Sequence, residues 1–291
     1  MLYDLSHRTT YRYSQPVSLA QHFLHMTPRV AAGQTTHRTA LSITPEPTYA
    51  TNGMDYFGNP TTFLSIEQFH SELAIHTRNR IEVKKPPPPD PEATMPWDKV
   101  YDAIVADRSL DGLDAIQYAY PSPKTVVRAD IETYARVSFP PGRPVLAGAR
   151  DLTRRIFQEF AYDPTATTVT TPVDAVFAIR RGVCQDFAHF ELACLRKLGL
   201  AARYVSGYLL TTPPAGQPRL VGADASHAWL SVWCPGHGWV DLDPTNNLLP
   251  RDEHITLAWG RDYADVSLVN GVIFGGGEHT IQVAVDVVPK L

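Results

Sequence analysis

Apolar residues recur at every second position early in the chain and at every third or fourth position through its middle. Leu41-Ser42-Ile43-Thr44 and Phe63-Leu64-Ser65-Ile66 alternate, which predicts half-buried strands. Gly53, Gly58-Asn59-Pro60 and Pro45-Glu46-Pro47 mark turns between them, and Ile81-Glu82-Val83 closes the last strand. Residues 1–83 therefore read as a β-rich domain. In Lys84-Lys85-Pro86-Pro87-Pro88-Pro89-Asp90-Pro91 each proline lacks an N–H and fixes φ, which excludes helix and central strand. Residues 84–97 form a stiff linker, and residues 98–291 a second domain.

The second domain begins with helical spacing. Val145, Ala149, Leu152, Ile156 and Phe160 lie on one stripe, with Pro144 placed as a first-turn residue. Pro172 to Arg181 predicts a short helix, with Thr171 as its N-cap and Pro172 in its first turn. Phe187, Phe190, Cys194 and Leu198 form the apolar stripe of a helix after Cys184, and Gly199 suits its end. Period two then returns: Ala202–Leu210 is a strand, and Thr211–Gly222 a loop rich in Pro and Gly. His227–Trp233 and Trp239–Asp243 form a hairpin around Pro235-Gly236-His237-Gly238. Ile273-Phe274 and the alternating Ile281, Val283, Val285 and Val287 are strand-like tail segments. The fold class expected is α+β: an antiparallel β-sandwich-like domain, then helices packed on an antiparallel sheet.

Composition narrows the function. With 291 residues, 44% of them apolar, the chain can bury one large or two modest cores. A net charge of −4 offers no surplus to neutralise phosphates, which argues against a nucleic-acid partner. No apolar run approaches the roughly 20 residues of a membrane helix, and Met1-Leu2-Tyr3-Asp4 lacks the features of a signal peptide, so the expected location is cytoplasmic with no membrane partner. Three cysteines, none in a C-x-x-C pair, and eleven scattered histidines suggest neither disulfides nor zinc, and no Asp-rich loop suggests calcium. The expected cofactor and metal content is none.

Three short segments carry the chemistry. Gly182-Val183-Cys184-Gln185-Asp186 opens a helix, Ser226-His227-Ala228-Trp229 opens a strand, and Trp239-Val240-Asp241-Leu242-Asp243-Pro244-Thr245 ends the next one. A thiol at a helix N-terminus beside an imidazole favours the thiolate, the nucleophilic form. Cys194 and Cys234 fit the role of buried structural thiols better. Strand parity puts Ala228, Leu230 and Val232 on one face and His227, Trp229, Ser231 and Trp233 on the other. If Trp233 pairs with Trp239, Asp243 falls diagonal to His227 on the same face, while Asp241 is one pair further away. Asp243 is thus favoured to orient the imidazole.

The order Cys, His, Asp and the words around it resemble the transglutaminase-like branch of the papain-like cysteine enzymes. The likeness is close from Arg180 to Asn247 and runs through Leu198-Gly199-Leu200, Asp224-Ala225-Ser226-His227-Ala228-Trp229 and Asp243-Pro244-Thr245-Asn246. Thr10-Tyr11-Arg12-Tyr13 is similar to the β-rich N-terminal region of bacterial members, and Gly260-Arg261-Asp262-Tyr263-Ala264-Asp265-Val266 to their C-terminal segment. Leu268 departs from the pattern, since many relatives have Pro there.

The resemblance implies a peptide or protein substrate and acyl chemistry at an amide through a Cys184 thioester. A bacterial neighbour protein of the ATP-grasp ligase type is implied by resemblance alone. Water as acceptor gives a peptidase or amidase, and an amine gives a transglutaminase; with no calcium site expected, hydrolysis or a dedicated bacterial peptide transfer is favoured. The other class is a non-catalytic peptide- or protein-binding module on the same fold. The Cys184 backbone N–H is a candidate oxyanion donor. Trp229 and Asp224 are candidate substrate-binding residues, against packing and a solvated loop respectively. Arg261, Asp262, Tyr263 and Asp265 read as a structural clasp.

Overall fold

Twenty-three residues of continuous strand, β1 (Leu2–Leu24), form the spine of the N-terminal half. In a computed structural model that describes residues 1–128, 130–211 and 226–290, β1 is followed by β2 (Gln34–Thr44), β3 (Tyr49–Met54), β4 (Pro60–Ile66) and β5 (His70–Val83). The helices come next: α1 (Trp97–Ala106), α2 (Leu110–Ile116), α3 (Ile131–Arg136) and α4 (Val145–Glu159). The short strand β6 (Ala161–Tyr162), α5 (Val173–Ile179) and the short strand β7 (Arg181–Gly182) lead into α6 (Cys184–Lys197). Then come β8 (Ala202–Leu209), β9 (Ser226–Cys234), β10 (Gly238–Leu242), β11 (His254–Gly260), β12 (Val269–Gly275) and β13 (His279–Lys290). The expected α+β class is what forms. Pro144 and Pro172 sit one residue earlier than expected, as the caps of α4 and α5.

The first half of β1 pairs with β5 and β13, and its second half with β4 and β12, with a register break between Arg12 and Val17. Pro16 lies in that break, where a missing N–H is tolerated. The seven-stranded antiparallel sheet curls there. Leu73 and Ile75 of β5 thereby share a core with Val17, Leu24, Leu64 and Ile66. The tail strands β12 and β13 lie on β1, so the end of the chain returns to the N-terminal sheet rather than staying with the core that precedes it.

The second sheet is antiparallel, in the order β10-β9-β8-β11. Helix α6 covers one face, where Phe187, Phe190, Cys194 and Leu195 meet Ala228, Leu230 and Val232. Towards the other half of the molecule, Tyr208, Ile255 and Leu257 share a core with Tyr3, Leu5, Ile81, Val83, Val285 and Val287. Backbone groups along β11 are met by side-chain amides of the N-terminal half. Gln34 donates to the Thr256 carbonyl (2.7 Å) and accepts from its N–H (2.8 Å); Asn59 does the same with Trp259 (2.8 and 2.9 Å). The proline linker packs on the core: the Lys85 N–H donates to Asp252 (3.0 Å) and the Lys85 ammonium to Asp241 (2.8 Å). Among the described residues no helix is long and apolar enough to cross a membrane.

Gly207 of β8 is the tightest point of this arrangement. A β-carbon there would lie 2.1 Å from the Ile255 carbonyl oxygen and 2.4 Å from the Trp229 ring. Gly207→Ala is expected to cost about 1–3 kcal/mol through overpacking. Urea unfolding should show a lower midpoint with an unchanged slope. A wild-type midpoint would contradict the close packing of β8, β11 and Trp229.

Candidate active site

Cys184 is the first residue of α6, and the segment before it is shaped to put it there. The Asp186 carboxylate reaches back to accept the Val183 N–H (2.8 Å) and the Thr167 hydroxyl (2.6 Å), which fixes the entry into the helix. Gly182 is required by that turn, because a β-carbon would lie 2.5 Å from the Asp186 carboxylate. As the first helical residue, Cys184 has an N–H without a partner in the helix ladder, at the positive end of the helix dipole. Its side chain is partly exposed, whereas Cys194 and Cys234 are fully buried.

The β9–β10 hairpin brings the other two groups to this point. Trp239 pairs with Trp233 and Leu242 with Leu230, the register expected from the alternation. Beyond Leu242 the chain turns. Asp243 accepts the Thr245 and Asn246 N–H groups on Oδ1 (2.9 and 3.1 Å) and exchanges backbone hydrogen bonds with Leu248. Its Oδ2 accepts three more: His227 Nε2 (2.8 Å), His254 Nε2 (3.0 Å) and the Asn246 amide (2.8 Å). With Nε2 on Asp243, Nδ1 is the ring nitrogen not held by the carboxylate, and Cys184 is near enough to raise the imidazole. The structure thus places His227 on Asp243, with Cys184 close enough to act on the imidazole. Asp241 lies further along the strand and binds Ser231 (2.5 Å) and Lys85.

The electrostatics follow from these contacts. Burial alone would depress the His227 imidazolium; the hydrogen bond to Asp243, with the carboxylate's charge and the neighbouring Cys184, outweighs it and raises the group to about 10. Burial would likewise push the Asp243 carboxyl up, but the donors from His227, His254 and Asn246 and the His227 charge hold it well below the usual range. Burial depresses His254 despite the attraction of Asp243, so it stands as a neutral donor. Glu191, fully buried on α6, is pushed up to about 8, mainly by burial and with a smaller contribution from the Asp243 charge. It is neutral below that pH and brings no second charge to the His227–Asp243 pair.

The positions of the remaining candidates differ. Trp229 is fully buried between His227 (ring centroids 6.0 Å apart) and His254 (5.2 Å) and presents no surface to a substrate. Asp224, with the loop expected after Thr211, lies outside the described residues. Arg261 pairs with Asp265, Asp262 accepts the Lys124 and Ala264 N–H groups, and the Tyr263 N–H donates to His189, so this segment clasps the core. Sequence reasoning missed His254, Asn246 and Glu191. Asn246 stood inside the quoted Asp-Pro-Thr-Asn word; His254 and Glu191 belong to no short motif. His227, Asp243 and His254 offer ligand atoms within 4.8 Å of one another, close enough for a cation. Both imidazole Nε2 atoms, however, point their hydrogen bonds at the same carboxylate oxygen, which occupies the positions a metal would use.

Known proteins resemble this chain along most of its length. The profile of the bacterial transglutaminase-like N-terminal region matches residues 3–82, and that of the transglutaminase-like superfamily residues 135–244. An uncharacterized protein of Mycobacterium tuberculosis is 39% identical over 99% of this chain and 92% of its own length. The chain belongs to the transglutaminase-like superfamily. An uncharacterized protein of Mycobacterium leprae is 32% identical over 97% of the chain and 96% of its own length. A protein-glutamine γ-glutamyltransferase of Pseudomonas aeruginosa is 34% identical over 38% of this chain and 18% of its own length. A solved structure from Cytophaga hutchinsonii, titled as a candidate cysteine protease, superposes with a TM-score of 0.75 at 20% identity. It covers all of this chain and 91% of that one, and shows the same fold.

Two measurements test the electrostatics. Iodoacetamide at neutral pH should alkylate Cys184 and spare Cys194 and Cys234 in the native protein, and Asp243→Asn should slow that reaction at least about tenfold. Equal labelling of Cys194 would contradict its burial. The raised His227 also has a signed effect on stability. Its contribution is full below the ordinary histidine value of 6.5 and is lost as pH rises through about 10. Asp243→Asn should show a shallower alkaline loss of stability in urea titrations across that window, and identical slopes would argue against the pair.

Proposed function

We propose that this superfamily member is a thiol-dependent acyl enzyme acting on a peptide or protein amide. What supports the reading is Cys184 at a helix N-terminus near His227, whose imidazole is held by the fully buried Asp243 carboxylate. His227 takes the thiol proton, and the Cys184 sulfur attacks the amide carbonyl carbon. The Cys184 N–H faces the developing oxyanion. Collapse breaks the C–N bond, His227 returns its proton to the leaving amine, and a thioester remains. An acceptor then attacks the thioester as His227 removes its proton, and the sulfur leaves to recover that proton. Water yields a carboxylic acid; a primary amine yields a new amide.

Asp243 orients the ring and stabilises its imidazolium form without taking part in bond making. Hydrolysis is the favoured outcome. No feature of the described site reserves a place for an amine, and the superfamily's name alone does not choose the acceptor.

Glutamine- and amide-containing peptides, with and without a primary amine, provide the test. Cys184→Ala should abolish thioester formation and turnover while leaving the unfolding midpoint near wild type. Asp243→Asn should lower kcat by about two to four orders of magnitude. Wild-type turnover by Cys184→Ala would end the catalytic reading. Product that forms only when an amine is supplied would identify a transferase. Peptide binding without turnover by either form would favour a binding module.

A further inference from the structure

Two arginines buried in the core are satisfied very differently. Arg196 of α6 is 5% exposed and has an acceptor for each nitrogen: the Tyr118, Ala202 and Arg261 carbonyls and the Ser122 and Thr125 hydroxyls. Arg203 of β8 is 7% exposed; among the described residues its guanidinium makes no hydrogen bond, and its Nε is buried without a partner. Two indoles hold it. Its Cζ lies 3.7 Å from the Trp259 ring centroid and 4.4 Å from that of Trp239. Rings stacked on a guanidinium attract its charge but cannot accept the N–H groups, which point outward in its plane.

Arg203 lines a cavity of about 520 Å³ whose other walls include Trp233, Trp239, Trp259 and the prolines Pro86–Pro89. Among the described residues no carboxylate hydrogen-bonds Arg203, although the charges of Asp241 and Asp114 act on it from further away. Arg29 also packs on Trp259, and its acceptors are the Val30 and Phe57 carbonyls and the Asn59 amide oxygen. Of the three aspartates lining the cavity, Asp241 is held by Lys85 and Ser231, Asp114 accepts from Gln117, and Asp111 is exposed. The cavity is separate from the site around Cys184, none of whose three residues lines it. The two are linked through Lys85, whose ammonium lies 5.7 Å from the Trp229 ring.

We propose that this cavity binds a ligand carrying a single carboxylate on an aromatic or other apolar body. The planar fork of Arg203 matches a carboxylate in two parallel hydrogen bonds. The three aspartates disfavour a multiply charged anion such as a phosphate ester, and the indole and proline walls receive the apolar body.

The test uses the wild-type chain, calorimetry and three probes: N-acetylphenylalanine, its uncharged amide, and phenyl phosphate. The acid should bind saturably and the amide at least about tenfold more weakly. Arg203→Met should lose the preference for the acid. Asp111→Asn, an exposed change that leaves the fold untouched, should strengthen acid binding about twofold at low salt. Equal binding of acid and amide, or no saturation by the acid up to about 10 mM, would overturn the proposal. Tighter binding of phenyl phosphate would overturn the assignment to a monocarboxylate. If Arg203→Met does not fold, the acid–amide comparison and the Asp111→Asn response decide.

Discussion

A carboxylate with no exposure to water needs enough donors to replace its hydration, and Asp243 obtains five from four residues. Two come from the turn it starts, one from the Asn246 side chain, and two from histidines on separate strands. That requirement organises the second sheet. The β9–β10 register must deliver His227, β11 must deliver His254, and the turn after Leu242 must close tightly enough to present two backbone N–H groups. Failure of any one leaves a buried charge short of partners, which is expensive. In the proposed function the same constraint sets the chemistry, because a carboxylate held ionised by its surroundings can sustain a charged imidazole beside a thiol.

Trp229 shows how packing and electrostatics reinforce each other here. Its ring lies beside His227 and edge-on to His254, under the Lys85 ammonium and over the missing side chain of Gly207. It excludes water from both imidazoles, which lowers the local dielectric and strengthens their contacts with Asp243. The residue that looked like a wall for substrate is a wall against solvent.

Much of this was readable along the chain. Alternation gave the strands and the hairpin register, and helical spacing placed Cys184 at the start of α6. The preference for Asp243 over Asp241 came from counting residues around one turn. What could not be read depends on contacts between residues far apart in sequence. The return of β12 and β13 to β1 spans nearly the whole chain, and no local pattern names a strand's partner. His254 begins an ordinary-looking strand at the opposite edge of the sheet from β10, and its importance appears only when it meets the Asp243 carboxylate beyond the end of β10. Gln34, Asn59 and Arg203 are single polar residues in unremarkable settings. Their environments arise from the docking of one half of the molecule on the other.

The pairing of Gln34 and Asn59 with β11 has a consequence for how the halves can be used. β11 is the outer strand of its sheet, and such a strand normally presents free N–H and C=O groups to any passing chain. The two amides cap this edge with groups that satisfy the backbone but cannot propagate a ladder. A core cut away from the N-terminal half would carry a bare, largely apolar edge strand and would be prone to intermolecular strand addition. The N-terminal half thereby covers an edge that would otherwise stand open to strand addition.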